Sequence, residues 1–163
     1  MYAELFCQSN FSFLQGASHP EELIARADFL GYSALAITDE CSVAGVVRAY
    51  AEKQQQQLAI KLIVGSYFQL QPGLKCVLLC PSEDAYRELC RIITNARRRA
   101  EKGEYQLDEW DLKSIRYCLF IWLPDSDSQH HEYWAEWLLK HHRTRTWIGA
   151  QRLLLSDETA HLQ

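Results

Sequence analysis

No run of apolar residues in this 163-residue sequence approaches the roughly 20 needed to cross a bilayer. The amino-terminal stretch MYAELFCQSNFSF also lacks the basic start and long apolar core of a signal peptide, so cytoplasm is the expected compartment. Basic excess is missing too. Seventeen Lys and Arg against 21 Asp and Glu leave a net charge of -4, which argues against a self-sufficient nucleic-acid binder, because such domains carry positive charge to neutralise phosphates. A domain riding on a larger nucleic-acid enzyme stays compatible with that charge. The six cysteines (Cys7, Cys41, Cys76, Cys80, Cys90 and Cys118) form no C-x-x-C pair, which weighs against a zinc ribbon or a disulfide framework. Several lie in apolar runs, where a free cysteine behaves as a small hydrophobe. Cys7 and Cys41 fall at strand ends and could come close in space; two reduced thiols are the expected state. There is no internal repeat.

What is present is an ordinary globular composition, 48% hydrophobic and 23% charged, at a length that suits about one domain with a real core. The sequence is organised around Tyr32 to Tyr50, YSALAITDECSVAGVVRAY. Ala34 to Thr38 is a short uncharged run that predicts a strand buried on both faces. Asp39 and Glu40 follow at once. Ser42 then caps a helix whose apolar positions Val43, Val46, Val47 and Tyr50 recur at helical spacing. An acid at the carboxyl end of a buried parallel strand, just before a helix, sits where α/β folds place ligands and chemistry.

Along the rest of the chain, Tyr2 to Cys7 predicts a first strand, followed by the polar and aromatic loop QSNFSFLQGA. Ser18 and Glu21 have capping-box spacing, with Pro20 in the first turn, and Gly31 is a natural stop. Leu23, Ile24, Ala27 and Leu30 supply that helix's inner face. Gln54 to Gln57 read as a frayed helix end. Lys61 to Val64 is a third strand that Tyr67 to Leu70 extends or bends away from. Pro72-Gly73 marks a turn, and Leu74 to Cys80 returns as a hairpin partner. Ser82 caps a long helix carrying Tyr86, Leu89, Cys90, Ile93 and Ala96 inward and ending in Arg97, Arg98 and Arg99. Tyr117 to Leu123 predicts a buried strand stopped by Pro124, before the polar loop 125 to 129. Tyr133, Trp134, Trp137 and Leu138 mark an amphipathic helix. Thr146 to Leu155 contains one more strand, and Ser156-Asp157-Glu158 looks ready to start another helix. Strands alternating with helices predict a mostly parallel α/β sheet or barrel. A closed eight-stranded barrel takes about 250 residues, so the fold expected of residues 1–163, taken as one domain, is an open or incomplete one.

Taken together, the stretches at Glu4 to Leu23, Gly31 to Tyr50, Lys61 to Leu70 and Cys76 to Tyr105 resemble the N-terminal PHP (polymerase and histidinol phosphatase) domain of bacterial DNA polymerase III alpha subunits. The likeness is to the error-prone, damage-inducible kind, and it fades beyond Tyr105. It implies a distorted seven-stranded (β/α) barrel. In active members a cluster of His, Asp and Glu at the strand ends binds up to three metal ions and hydrolyses phosphoesters. The family pattern has H-x-H after strand one, Asp-His after strand two and Glu after strand three. Here the H-x-H positions are Phe6 and Gln8, Asp39 survives beside Glu40, Tyr67 stands for the Glu, and Lys75 aligns with a further position that is often His.

Phe has no lone pair for a metal, Gln offers a neutral amide oxygen, and a lysine ammonium repels a cation. Asp39 and Glu40 alone could hold a hydrated Mg²⁺ or Mn²⁺ weakly, but not a clustered Zn²⁺ site of about four ligands. The expectation is therefore no catalytic residue and no required cofactor. For Asp39, capping the next helix remains open beside metal binding. Glu40 is expected to face solvent. Arg97, Arg98 and Arg99 could contact phosphate or an acidic neighbouring domain, although a solvated helix end is the commoner case. His130-His131 and His141-His142 are expected as solvated pairs, and His19 as structural. Most tryptophans should be core; an exposed Trp134 or Trp137 would mark a partner surface.

The leading expectation is a non-catalytic support for the polymerase body of a longer chain that itself copies damaged template. Its partners would be the remaining polymerase and replication or repair accessory proteins, with DNA met only indirectly. A residual Mg²⁺/Mn²⁺ phosphoesterase and a protein-interaction module are the alternatives. Exposed strand edges could also allow a dimer.

Overall fold

A computed structural model describes residues 2–124 and 129–151. Six strands and five helices follow one another in it: β1 (Ala3–Cys7), α1 (Pro20–Phe29), β2 (Ala34–Ile37), α2 (Ala44–Gln55), β3 (Lys61–Leu70), β4 (Leu74–Cys80), α3 (Glu83–Arg98), α4 (Glu109–Lys113), β5 (Leu119–Trp122), α5 (His131–His142) and β6 (Thr146–Ile148). The expected loop at 125 to 128, the strand's run to Leu155 and the helix start at Ser156 lie outside the described residues.

The strands form one sheet in sequence order, curled into a half-barrel. β1, β2 and β3 run parallel, with β2 and β3 in register from Ala34 opposite Lys61 to Ile37 opposite Val64. β3 continues straight through Gly65 and pairs antiparallel with β4 as the expected hairpin. β5 is antiparallel to β4, and β6 is parallel to β5. The carboxyl ends of β1, β2, β3, β5 and β6 therefore share one rim with the start of β4. Alternation along β3 to β5 sorts the two faces. Phe68, Cys76, Leu78, Phe120 and Trp122 pack under α3 and α5. Tyr67, Val77, Leu79, Ile121 and Leu123 line the opposite, concave face with Ala36 and Phe6.

Helix faces depart from the sequence reading in instructive ways. The cap of α1 is His19, not Ser18, and the reciprocal partner is Glu22, which accepts the His19 N–H at 2.8 Å. Ile24 and Ala27 face inward as expected, whereas Leu30 is exposed at the helix end. In α2 the buried residues are Gly45 and Ala49, while Val47 and Tyr50 point outward. The reason is close approach: a Cβ on Gly45 would stand 2.6 Å from the Asp39 carboxylate and 3.1 Å from the Pro20 ring. Only small residues let α2 sit so near α1 and the strand tips.

In α3 Leu89 and Ala96 are buried as expected and Ile93 packs against the core, but Ala85 and Ile92 complete the buried stripe and Tyr86 is exposed. Glu88 falls inside that stripe. Its carboxylate accepts the backbone N–H groups of Arg116, Tyr117 and Cys118 at 2.7, 2.9 and 3.0 Å. Burial pushes its pKa up, but these three donors outweigh it and hold the group below the usual carboxylate range. A buried acid thus fixes where β5 begins.

Trp122, Trp134 and Trp137 are core, and the Trp134 indole donates to the Pro72 carbonyl at 2.6 Å. Trp110 and Trp147 are the exposed pair instead. His142 is not solvated: it is buried, stacks on Phe120 with ring centroids 4.5 Å apart, and has its pKa driven down to about 4 by burial and the neighbouring Arg145.

Candidate functional site

The rim gathers the residues singled out above. Asp39 follows β2 and is 0% exposed. Its Oδ1 accepts the Ser9 N–H and the Ser12 hydroxyl, each at 2.7 Å, and its Oδ2 accepts the Ser9 hydroxyl at 2.8 Å. Both serines come from the loop between β1 and α1. They are themselves locked, since Ser9 Oγ accepts the Phe11 N–H at 3.2 Å and Ser12 Oγ accepts the Glu40 N–H at 3.0 Å. The Asp39 carbonyl accepts the Ser66 hydroxyl at 2.8 Å and the Tyr67 N–H at 3.2 Å, binding the strand tip to β3. Asp39 is thus wrapped in hydroxyl and amide donors.

Glu40, expected to face solvent, is half-buried and engaged. Its Oε1 accepts the Tyr105 hydroxyl at 2.8 Å and the Gln69 side-chain amide at 3.1 Å. Tyr105 in turn accepts the Gln69 N–H at 2.8 Å. Its pKa is pushed up by burial, with the Glu40 carboxylate adding to the effect and the Gln69 N–H opposing it. The two adjacent carboxylates therefore serve different partners and do not converge.

Two of the other implied metal positions form an apolar contact. The rings of Phe6 and Tyr67 lie 5.2 Å apart on the concave face. The Gln8 Nε2 is buried with no hydrogen-bond partner among the described residues. Lys75 is half-buried at the start of β4, opposite Gln69, and its carbonyl accepts the Leu123 N–H at 2.9 Å.

The arginine run is divided among three roles. Arg97 donates to four carbonyls, those of Glu40, Cys41, Gly103 and Glu104, at 3.1 to 3.2 Å, and lies over the Tyr105 ring. It staples the loop after β2, where Cys41 takes a positive φ of 45°, to the loop after α3. Arg99 bridges Asp108 and Asp111 at the cap of α4. Arg98 stays exposed.

The donor set does not fit a metal cluster. Among the described residues no group of three or more His, Cys, Asp or Glu could hold an ion. Asp39 has both carboxylate oxygens facing protein donors, and a cation arriving there would meet N–H and O–H groups rather than lone pairs. Sequence reasoning missed the residues that do this work: Ser9, Ser12, Ser66 and Tyr105. The only signal was a cluster of small polar residues in the QSNFSF loop.

A PHP domain model matches residues 4–145. An error-prone DNA polymerase of Vibrio vulnificus is 60% identical over 161 residues, covering 99% of this chain and 16% of that protein. Error-prone DNA polymerases of Methylococcus capsulatus and Pseudomonas aeruginosa are 51% and 48% identical over 94% and 99% of the chain. The chain thus spans only 14% to 16% of the length of these curated relatives. Among solved structures, one assigned as a metal-dependent phosphoesterase from Bifidobacterium adolescentis aligns with a TM-score of 0.50 and 12% identity, covering 81% of this chain and 70% of that one. That likeness concerns the fold alone. On the half-barrel architecture and the match over nearly its whole described length, this chain belongs to the PHP domain family.

Proposed function

We propose that residues 1–163 form a PHP-type unit without catalysis, serving as the N-terminal support of an error-prone DNA polymerase. The observation that carries this reading is the burial of Asp39 under Ser9 and Ser12. A metal site keeps its carboxylate lone pairs open, whereas this one spends them on shaping a loop. That loop ends in an apolar tip: Phe13 and Leu14 are 85% and 88% exposed. Apolar side chains so displayed suit burial against another body of protein, and the polymerase names of the relatives point to what that body is.

In this role the domain contributes stability and position to a cytoplasmic enzyme that synthesises DNA across lesions during repair. It meets the rest of the polymerase and accessory proteins directly and DNA only indirectly, with Arg98 left for a phosphate or partner contact. A second reading, a protein-interaction role for the aromatic carboxyl-terminal part, has support from Trp110, which is 75% exposed beside a groove of about 440 Å³ between α4 and α5.

The test is hydrolysis of phosphodiester substrates and of DNA ends by the purified chain with Mg²⁺, Mn²⁺ or Zn²⁺ supplied. The expected result is turnover no higher than in metal-free buffer. Robust turnover that vanishes in Asp39→Ala would replace the scaffold by a minimal two-carboxylate phosphoesterase built on Asp39 and Glu40.

A further inference from the structure

Cys80 ends β4, and Cys118 immediately precedes β5. In the antiparallel ladder between these strands Cys76 faces Trp122 and Leu79 faces Leu119, so the next rung sets Cys80 opposite Cys118. The hydrogen-bond pattern identifies the kind of rung. Leu123 donates its N–H to Lys75 within this ladder, whereas Phe120 donates to Arg145 and Trp122 accepts from Gly149, both on the β6 side. Odd-numbered residues of this segment thus bond toward β4 and even-numbered ones away from it. The Cys118 N–H follows the rule and goes to Glu88. Cys80 and Cys118 therefore occupy a non-hydrogen-bonded rung, where α-carbons lie about 4.5 Å apart and side chains are nearest. A disulfide needs roughly 4.4 to 6.8 Å between α-carbons.

Both side chains lie on the same face. The Cys118 thiol donates to the Ala85 carbonyl at 3.3 Å, and Cys80 packs against the same cluster under α3. We propose that Cys80 and Cys118 are an oxidisable pair that peroxide converts to an intramolecular disulfide joining β4 to β5. Hydrogen peroxide takes the Cys80 sulfur to a sulfenic acid and releases one water. The Cys118 sulfur then attacks that sulfur, the S–S bond forms, and the second oxygen leaves as water with the remaining thiol hydrogen. The order follows from access: Cys80 is half-buried and Cys118 is buried. Its side-chain interaction with Cys80 and burial push the Cys118 thiol upward, so it acts second, as the resolving group. The chain between the two carries α3, Arg97 and Tyr105, so the bond would close the excursion that clamps Glu40 and Cys41.

The experiment treats the folded chain with stoichiometric hydrogen peroxide, alkylates free thiols and maps tryptic peptides. The expected product joins peptides 76–87 and 117–140 through Cys80 and Cys118, leaves four of the six cysteines alkylatable, melts at a higher temperature, and reverts with dithiothreitol. Cys80→Ser abolishes the link and Cys90→Ser leaves it. Six alkylatable thiols after oxidation, sulfinic acid on Cys80 without a link, or a bond from Cys80 to Cys90 would each overturn the proposal. Metal-dependent turnover by the same chain would overturn the scaffold reading but not this one.

Discussion

Ser12 donates its hydroxyl to Asp39 while accepting the Glu40 N–H, so one small side chain joins the loop after β1 to the tip of β2. Ser12→Ala deletes a hydrogen bond to a buried charge and leaves a backbone donor unpaired. The expected loss is about 2 kcal/mol, read from urea unfolding midpoints; a loss near zero would mean that the carboxylate is satisfied otherwise. His142 sets a pH dependence. Its folded pKa of about 4 lies below the ordinary 6.5, so the folded state holds it neutral. The unfolded chain takes up a proton first as pH falls. The stability it lends is full above pH 6.5 and is lost progressively toward pH 4, on the order of 2 kcal/mol. His142→Phe keeps a ring against Phe120 and should flatten that part of the melting-temperature profile relative to wild type. An unchanged profile would contradict the assignment.

Among the elements, α2 shows most clearly what periodicity reads and what it does not. The run Val43, Val46, Val47 and Tyr50 located the helix, and Val43 and Val46 do pack against the core, but the fully buried residues are Gly45 and Ala49 while Val47 and Tyr50 face outward. A hydrophobic pattern registers the size of apolar side chains, whereas this contact is decided by how closely α2 must approach Asp39 and Pro20. Val47→Glu is therefore expected to change stability by no more than about 0.5 kcal/mol. Ala49→Leu should cost roughly 1 to 3 kcal/mol by overpacking. Thermal melts of the two variants check the pair, and the reverse order would restore the face expected from sequence. In α3 the helix and its Ser82 cap were legible, with the Ser82 hydroxyl accepting the Ala85 N–H at 3.2 Å. The inward Glu88 was not, because its partners are backbone N–H groups 28 to 30 residues away. The same limit hid Arg97: a run of three arginines reads as a solvated helix end until the carbonyls it meets are seen.

At the scale of the whole molecule, the succession of strands and helices and the β3–β4 hairpin followed from apolar runs and turn residues, whereas the antiparallel pairing of β5 with β4 did not. Local patterning of that kind is what a sequence records best. The ring contact of Phe6 with Tyr67 and the serine cradle around Asp39 are matters of long-range geometry, which it does not record. Across the described residues the sheet ends at β1 on one side and β6 on the other. A largely apolar groove of about 1000 Å³, lined in part by Phe6, Ile63, Ile121 and Ile148, opens between them. Strand edges that have no partner among the described residues, beside exposed Trp147 and Ile148, are a template for pairing with another chain. The isolated chain should therefore self-associate with rising concentration in light scattering, and Ile148→Lys should shift it toward monomer. A chain that stays monomeric at all concentrations would contradict this.

The proposed support role stands or falls on whether Asp39 serves the loop after β1 rather than a metal. Titrating the purified chain with Mn²⁺ and following bound ion by electron paramagnetic resonance tests it directly, with Asp39→Asn as the control. The expected result is the same weak, non-saturating uptake in both proteins. Saturable binding of an ion by the wild type, lost in Asp39→Asn while the variant remains folded, would contradict it.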